Sequence, residues 1–393
     1  MIAKNEFKII YISYDSLTEP LGMSQILPYL IELKKTTNIE LLSFEKNLTN
    51  NLAKINELNT ILLKKKIKWK IIKYNKSSYL ITKIYKVIYL NFYFLIKILF
   101  EKKIIFHLRS YIPYFFIMLP INIKKVDFIF DMRGFWFQEK IDRRGWNSKS
   151  FFFKFLESFE KKILYNSKKI LCLTDNSIKI LKMKYPSINF NKYSSIRTGV
   201  DEKRFNYTKK KLDLNNLIFC YLGTTDGAYD FDMTVKVFIK FKNKFKNAKL
   251  KIISKDNIGN IKNQLKSLRE NIDYEIKNID FDKISDEINT IDIGIFILKN
   301  NLSIKASFPT KIAELFICNK PIICNNFNED IADIINSRTG FLFNEDLSDL
   351  STKNIQVITD LLINNNKFEY CRDYALKNLT ISKIIPKILN SYL

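Results

Sequence analysis

The chain is short of histidine, cysteine, glycine and proline, and each shortage excludes a class of protein. Its 393 residues include one histidine, His107, which excludes a histidine-rich metal site and any mechanism that needs paired imidazoles. The five cysteines show no CxxC spacing, so they indicate small buried residues in a reducing compartment rather than zinc ligands or disulfides. With only nine glycines and eight prolines, low-complexity linkers are not expected.

Long uncharged segments are also missing. The longest are Val87–Ile96 and Tyr111–Ile123, shorter than the roughly 20 residues that a membrane-spanning helix needs. No secretory signal opens the chain, because its first residues are polar and the apolar run Ile9–Ser13 is too short. The sequence therefore predicts a cytoplasmic protein that touches a membrane only at its surface.

Charge of one sign is in large excess, with 65 Lys and Arg against 40 Asp and Glu and a net charge of +25. One interpretation is an anionic partner, such as a membrane surface, a nucleic acid or a phosphate-bearing substrate. The other is compositional, because Lys, Ile and Asn are abundant throughout, and about half of the lysine excess is assigned to that bias.

Alternating strand and helix patterns run twice along the chain and predict an α/β protein with two doubly wound domains. The first series opens with a strand at Phe7–Ser13 and a helix from about Ser24 to Lys35, and the second restarts at the strand Leu217–Leu222. The predicted domains are residues 1–200 and 201–367. A C-terminal helix, residues 368–393, is expected to pack back toward the first domain.

The segment Tyr79–Lys102 carries apolar residues at helical spacing. Packing of this helix on its own sheet is the favoured interpretation, and a helix lying on a membrane surface is the alternative. The residues that define the apolar stripe in the sequence are Ile81, Ile84, Tyr85, Ile88, Phe92 and Leu95.

The most informative segment is residues 292–325, which read as strand, loop, helix and strand, a unit typical of parallel sheets. Ser307 is the predicted N-cap of the helix, with Pro309 in the first turn. The first-turn amides of such a helix form a phosphate site, to which Lys311 adds positive charge. Glu314 lies one turn further on among apolar neighbours, which indicates an acceptor for sugar hydroxyl groups.

Four further fragments occur in a recognisable order: YISYDSLTEPLGMSQILPYLIELKK, FHLRSYIPYFF, FDMRGFWFQEKID and RTGVDEKRF. Together with the unit above, they resemble the family 4 glycosyltransferases of the GT-B type, from Ile10 to about Phe343. The resemblance implies two Rossmann-like domains facing each other across a cleft. It also implies transfer of a sugar from a UDP- or GDP-linked donor to an acceptor hydroxyl with retention at the anomeric carbon, without a metal or another cofactor.

The resemblance also implies roles for individual residues. The second motif glutamate, which holds the donor ribose, falls on Glu314, and a histidine near the transferred sugar falls on His107. The implied catalytic residues are His107, Glu314 and Arg109. The implied donor-binding residues are Gly22, Lys311, Thr310, Ser307, Pro309 and Glu314, and the implied acceptor-binding residues are Arg133 and Glu139.

Two family positions differ here. The first motif glutamate is replaced by Ala306, and the Arg and Lys after the first strand of the second domain are absent, where the chain reads LGTTDGAYDFD. Other cations must therefore meet the diphosphate charge, and the candidates are Lys305, Lys311, Arg109 and Arg133.

The predicted partners are a nucleotide sugar, a glycan or polyprenyl-linked acceptor and an anionic membrane surface, with no nucleic acid. The predicted role is synthesis of a bacterial surface polysaccharide, an O-antigen, lipopolysaccharide or capsule, at the inner face of the cytoplasmic membrane. The alternatives are a basic nucleic-acid-binding protein and a catalytically inactive, membrane-associated partner of a glycan assembly complex.

Overall fold

The structure, a computed structural model, describes residues 7–74, 80–101, 103–124, 126–147, 149–268, 272–343 and 352–393. The chain divides into two compact units, unit 1 (Met1–Arg197 with Ile384–Leu393) and unit 2 (Thr198–Lys383). The C-terminal segment predicted as a single helix is therefore shared between the two units.

Unit 1 is built on a seven-stranded sheet in which every pair of neighbours is parallel. Its central strands are runs of Ile, Leu and Phe buried on both faces, as parallel sheets require. The strand order is β3-β2-β1-β4-β5-β6-β7, so successive strands are added on one side of β1 as far as β3 and on its other side from β4 onward, which places the topological switch point between β1 and β4. The strands are β1 (Lys8–Ser13), β2 (Asn38–Glu45), β3 (Lys68–Lys73), β4 (Ile104–Arg109), β5 (Phe128–Asp131), β6 (Lys169–Cys172) and β7 (Tyr193–Ser195).

The helices of unit 1 connect these strands. Two of them begin at capped residues, because Ser150 accepts from the amide of Phe153 and Thr174 accepts from that of Ser177. A 3-10 helix, Ile112–Phe116, follows β4. The helices are α1 (Pro20–Gln25), α2 (Leu27–Leu33), α3 (Leu52–Lys64), α4 (Leu80–Phe100), α5 (Met118–Lys124), α6 (Trp136–Arg144), α7 (Phe151–Asn166) and α8 (Asp175–Lys184).

Unit 2 repeats the plan with a six-stranded parallel sheet in the order β10-β9-β8-β11-β12-β13. The strands are β8 (Ile218–Leu222), β9 (Lys249–Ile253), β10 (Tyr274–Lys277), β11 (Ile293–Ile295), β12 (Ile322–Asn325) and β13 (Gly340–Phe343). The helices are α9 (Phe231–Lys242), α10 (Ile258–Ser267), α11 (Ile284–Asn289), α12 (Thr310–Ile317), α13 (Thr352–Phe368), α14 (Tyr370–Asn378) and α15 (Ile381–Tyr392). The last helix ends in unit 1.

The helix predicted from Ser24 to Lys35 is wrong as a single element. The chain forms α1 and α2 instead, separated at Ile26, whose backbone (φ −112°, ψ −59°) leaves regular helical geometry. Pro28 explains the break, because a proline has no amide hydrogen to donate to the carbonyl one turn earlier and it starts helices well.

The helix predicted within Tyr79–Lys102 packs on its own sheet, as expected, but the face predicted to be buried is wrong. Tyr79 and Lys102 themselves lie outside the described residues. The α4 helix does pack on unit 1, but through Leu90, Asn91, Phe94 and Ile98. Most of the stripe that was expected to face the sheet is exposed. No helix in the described part of the chain is long and apolar enough to cross a membrane.

Candidate active site

The predicted donor-binding residues of unit 2 lie where β11 leads through a 3-10 turn, Ile304–Ala306, into α12. Ser307 is not the N-cap, because α12 begins at Thr310 with Pro309 as the capping position and no side-chain cap. The proline accounts for the shift, since the residue before a proline is disfavoured in helical geometry. The Ser307 hydroxyl instead donates to the Ile304 carbonyl at 2.8 Å.

Lys311 is buried, with 4% of its surface exposed, and its Nζ has no hydrogen-bond partner among the described residues. Aromatic faces surround it: the ring centroids of Tyr229, Phe296 and Tyr221 lie 3.7, 5.0 and 5.1 Å from Nζ. Cation–π attraction returns part of the lost hydration, but it supplies no hydrogen-bond acceptor. The site therefore holds an amine whose hydrogen-bond donors have no acceptor in the described ranges.

Gly223, which follows β8, makes room for this ammonium group. Its φ of +139° is a conformation that L residues rarely adopt, and a Cβ there would lie 2.7 Å from Lys311 Nζ. The rest of the loop is held by Asp256, whose carboxylate accepts from the amide of Thr225 at 2.6 Å. A glycine in a loop anchored by Asp256 thus borders Lys311.

Glu314 lies one turn after Lys311 and is half-buried. It forms no hydrogen bond or ion pair with any residue in the described ranges, although the charges of Lys311 and Arg204 act on it. Burial raises the pKa of Glu314 to about 6, and burial lowers the pKa of Lys311 to about 7, while the opposite charge of each partner limits the other's shift. Thr310 is half-buried and Pro309 is buried beside them.

In unit 1, His107 is 1% exposed and packed on all sides. Its Nδ1 lies 2.7 Å from the Tyr392 hydroxyl, and its ring stacks on Tyr11 with centroids 4.4 Å apart. Nε2 lies 3.6 Å from Asp131 Oδ2 and has no hydrogen-bond partner in the described part of the chain. Burial lowers the pKa of His107, although Asp131 raises it, so the neutral imidazole is favoured.

Asp131 joins three predicted site residues into one cluster. Its carboxylate lies 3.6 Å from His107, 3.7 Å from Arg109 Nη1 and 3.7 Å from Arg133 Nη1. Burial opposes its ionisation, but Arg133, His107 and Arg109 outweigh burial and hold the pKa of Asp131 below its usual range. Two guanidinium groups at the carboxyl ends of β4 and β5 therefore share one central carboxylate.

The two arginines differ in access. Arg109 is 2% exposed and its Nε also donates to Asp15 at 3.2 Å. Arg133 is half-buried, its Nη2 donates to Gln25 at 3.4 Å, and its φ of +57° places a non-glycine residue in the left-handed region. Arg133 is thus the arginine of this cluster that a ligand of unit 1 can reach.

Glu139 lies on α6, half-buried, and forms no ion pair with either arginine among the described residues. Burial raises the pKa of Glu139, while Arg143 and Lys140 lower it. Within the described ranges, the carboxylates that pair with Arg109 and Arg133 are therefore those of Asp15 and Asp131 rather than that of Glu139.

Gly22 lies inside α1 rather than at the end of a loop. A Cβ at this position would meet the Ser16 carbonyl oxygen at 2.2 Å, so the close approach that it permits is to the chain's own first loop. That loop is fixed by the buried Glu45, whose carboxylate accepts from the amide of Leu17 at 2.8 Å and from the Thr18 hydroxyl at 3.1 Å.

Sequence reasoning missed several residues that shape these sites. Asp131 lies within the fragment FDMRGFWFQEKID, which the resemblance already used. Gly223 and Tyr229 lie in the loop LGTTDGAYDFD, where a glycine and an aromatic residue next to a strand end could have indicated a site. Tyr392 is 285 residues from His107, and no local pattern indicates it. The missed residues are Asp131, Gly223, Tyr229, Phe296, Arg204, Glu45 and Tyr392.

The described residues contain no group of three or more His, Cys, Asp or Glu that could hold a metal ion. All five cysteines are free and buried. Burial raises the pKa of the Cys220 thiol to about 12, so this thiol stays neutral beside Lys311.

Comparison with known proteins finds no matching family model and no matching curated protein sequence. Solved structures do match. A glycosyltransferase from Rickettsia africae ESF-5 has a TM-score of 0.69 at 17% identity, covering 99% of this chain and 98% of that one. Anabaena Alr3699/HepE, solved with UDP and glucose, has a TM-score of 0.69 at 10% identity, covering 98% and 99%.

The lipopolysaccharide outer core galactosyltransferase WaaB has a TM-score of 0.62 at 12% identity, covering 98% of this chain and 99% of that one. The likeness to these proteins extends over nearly the full length of both chains in each pair. Together with the two parallel sheets and their flanking helices, it confirms the predicted fold: the chain has the GT-B fold of glycosyltransferases.

Proposed function

We propose that this chain is a family 4, retaining glycosyltransferase that transfers a hexose from a UDP- or GDP-linked donor to a lipid-linked glycan acceptor. The observation that carries the proposal is the pair Lys311 and Glu314, which lie one turn apart on α12. Neither the buried amine of Lys311 nor the carboxylate of Glu314 has a hydrogen-bond partner among the residues that the structure describes. Burying an ionisable group without a hydrogen-bond partner is unfavourable, and such groups mark sites where a ligand supplies the missing partner.

The pair has complementary uses toward a nucleotide sugar. The Lys311 ammonium supplies positive charge to the diphosphate, and the Glu314 carboxylate accepts hydrogen bonds from the ribose hydroxyl groups. In the transfer, the bond from the anomeric carbon to the diphosphate oxygen breaks and a bond to the acceptor oxygen forms, while the acceptor proton passes to the departing diphosphate. Retention of configuration rests on the resemblance to family 4.

Unit 1 offers a second set of polar groups, which we assign to the acceptor and the transferred sugar. Arg133 is half-buried and strained, and it lies beside the neutral His107 and Arg109 around Asp131. Strained backbone at the carboxyl end of a strand is typical of ligand sites.

The solvent-facing side of α4 supports attachment to a membrane surface. Seven apolar residues on this side are exposed, by 47% at Ile84 to 79% at Ile81, and we call them the α4 stripe: Ile81, Ile84, Tyr85, Ile88, Phe92, Ile96 and Leu99. At about 100° per residue they form one face along roughly 30 Å of helix. Large exposed apolar patches mark interaction sites.

The positive charge of the chain would strengthen such attachment to anionic lipids. We therefore place the enzyme peripherally at the inner face of the cytoplasmic membrane, in the synthesis of an O-antigen, lipopolysaccharide or capsule. The similarity to WaaB, a lipopolysaccharide outer core galactosyltransferase, and to HepE, solved with UDP and glucose, supports this role.

The direct test is release of UDP or GDP from a panel of activated sugars, with bacterial membrane extract as the acceptor. We expect one sugar nucleotide to be consumed, and its nucleotide diphosphate to raise the melting temperature. Stabilisation by single-stranded oligonucleotides but not by nucleotides would instead support the nucleic-acid-binding alternative.

A catalytically silent partner is the second candidate, favoured by Ala306, which is fully buried where the family has its first motif glutamate. Such a protein would sediment with liposomes and release no nucleotide diphosphate from any donor of the panel.

A further inference from the structure

Unit 1 contains a pocket of about 330 Å³ that none of the predicted site residues lines. This volume is within the range of small-molecule sites. Its walls are mainly aromatic, and two lysines from the first turns of α4 stand beside them. We call it the aromatic pocket, and its defining residues are Tyr14, Phe44, Tyr74, Phe116, Trp136, Lys83 and Lys86.

The position of the aromatic pocket follows from the topology of the sheet. Tyr14 follows β1, Phe44 lies near the end of β2, and Tyr74 follows β3. Phe116 lies on the 3-10 helix after β4, and Trp136 opens the helix after β5. The carboxyl edge of a doubly wound sheet, near its switch point, is where ligands bind in this class of fold.

The rings form a continuous apolar surface. The centroids of Tyr14 and Phe44 are 4.8 Å apart, and those of Phe44 and Phe116 are 5.1 Å apart in a stacked arrangement. Burial raises the pKa of Tyr14 to about 12, so this phenol stays neutral. The walls thus suit a hydrocarbon chain.

The charge beside the rings is positive and uncompensated. No Asp or Glu lines the aromatic pocket, and neither lysine forms an ion pair among the described residues. Lys83 is exposed, whereas the Lys86 ammonium donates to the Lys73 carbonyl. Burial and the charge of Lys73 lower the pKa of Lys86. A bound anion would relieve this repulsion between like charges.

The same helix connects the aromatic pocket to the α4 stripe. The first turns of α4 contribute Thr82, Lys83, Lys86 and Val87 to the pocket wall, while the stripe faces solvent from Ile81 onward. A ligand that combines a hydrocarbon chain with a phosphate, and that resides in a bilayer, matches the walls, the charge and the apolar approach together.

We propose that the aromatic pocket binds the isoprenoid units next to the phosphate of a polyprenyl phosphate-linked acceptor, with Lys83 and Lys86 holding the phosphate. This proposal rests on the proposed transfer to a lipid-linked acceptor and places that acceptor on unit 1. No covalent step occurs in the pocket, which only holds the lipid end of the acceptor.

The test measures binding of farnesyl phosphate, farnesol and inorganic phosphate to the full chain by calorimetry. We expect farnesyl phosphate to bind at least about tenfold more tightly than either fragment, because it alone uses both the rings and the lysines. Lys83→Gln with Lys86→Gln should weaken binding about five- to tenfold, and Tyr74→Ala by a similar factor. The matched control, Lys64→Gln on the exposed end of α3, should change nothing.

Photo-crosslinking locates the site without any substitution. A farnesyl phosphate carrying a diazirine on its first isoprene unit should label peptides containing residues 80–87 or 112–116. Labelling confined to residues 88–100, equal binding of farnesol, or equal binding of inorganic phosphate would each overturn the proposal. Loss of this labelling when a methyl glycoside is added as the competitor, in place of the unlabelled lipid, would also overturn the proposal.

A parallel thermal shift with UDP and GDP separates this proposal from the proposed function. Nucleotide binding without farnesyl phosphate binding refutes the pocket assignment alone. Farnesyl phosphate binding without nucleotide binding supports the pocket and refutes the transferase.

Discussion

At the scale of single residues, a lysine buried without a hydrogen-bond acceptor destabilises the fold, since transfer from water removes hydration that aromatic faces return only in part. Lys311 is such a residue with respect to the part of the chain that the structure describes. Unfolded lysine has a pKa of about 10.4, whereas that of folded Lys311 is about 7. The destabilisation is therefore full below pH 7 and fades as the pH rises toward 10, because the unfolded chain binds the extra proton between these values.

We predict that Lys311→Met raises the melting temperature at pH 7 by a few degrees, because an apolar side chain of similar length removes the buried charge. The same substitution should weaken binding of the nucleotide diphosphate about tenfold, because the ligand loses its ammonium partner. Thermal unfolding and calorimetry measure the two effects. Lys262→Met, on the exposed face of α10, is the control, and a lower melting temperature for Lys311→Met would contradict the account.

Proton uptake gives a second prediction for the same residue. A bound diphosphate favours the charged ammonium, so at pH 8 the chain should take up close to one proton for each nucleotide bound. Calorimetry in two buffers of different ionisation enthalpy measures this number. Glu314, with a pKa of about 6, is already ionised at pH 8, and burial raises the pKa of Cys220, Tyr221 and Tyr11 beyond that pH.

The uptake should disappear in Lys311→Met. The same binding enthalpy in both buffers for the unmodified chain would show that Lys311 does not change its protonation on binding.

Glu314 gives the third prediction. We expect Glu314→Ala to abolish turnover while the melting temperature stays within a few degrees, because the carboxylate makes no hydrogen bond with a described residue that the folded state would lose. Initial rates of nucleotide diphosphate release and thermal unfolding measure both. Asp333→Ala, an exposed carboxylate of unit 2, is the control. Product formation at the unmodified rate would remove Glu314 from the site.

At the scale of elements, α4 shows why periodicity can select the wrong face. The helix is apolar over most of its circumference, so the stripe at Ile81, Ile84 and Ile88 and the opposite face both satisfy helical spacing. Asn91 settles the orientation: its amide group donates to the Phe115 carbonyl at 2.7 Å, and its carbonyl accepts from the Leu119 amide at 2.8 Å. A buried polar side chain that needs these partners cannot face solvent equally well.

We predict that Ile84→Glu with Phe92→Glu reduces binding to vesicles of anionic phospholipid at least tenfold, because charges on the α4 stripe oppose insertion between lipid head groups. Co-sedimentation measures the change. Leu63→Glu, an exposed apolar residue at the end of α3, should bind as the unmodified chain does. Equal binding of the double variant would remove the α4 stripe from the membrane contact.

The loop after β1 and the segment before α12 show two other element-scale effects. Pro28 divides a predicted helix, and Pro309 delays the start of another, so in both places a proline outweighs a pattern that favoured a longer element. Both prolines are visible in the sequence, but the residue at which each helix begins or ends depends on the backbone geometry of the neighbouring residues.

At the scale of the whole molecule, the net charge of +25 has two interpretations, an anionic partner and compositional bias. Vesicle binding can distinguish them. We predict that raising the salt from about 0.1 to 0.5 M weakens binding to anionic vesicles severalfold, because the screening length falls below about 8 Å. Binding to zwitterionic vesicles, which depends on the α4 stripe, should change little. The same affinity for both vesicle types at low salt would assign the charge to composition alone.

The amino-acid sequence by itself determined the alternation of strands and helices, the two parallel sheets and the placement of Lys311 and Glu314 one turn apart, because these depend on short-range periodicity and chain stereochemistry. Only the tertiary structure decided that Lys311 Nζ lies among the rings of Tyr221, Tyr229 and Phe296, that Tyr392 reaches His107, and that the α4 stripe faces outward. These contacts join residues far apart in the chain, and their free energies depend on burial, which no local pattern specifies.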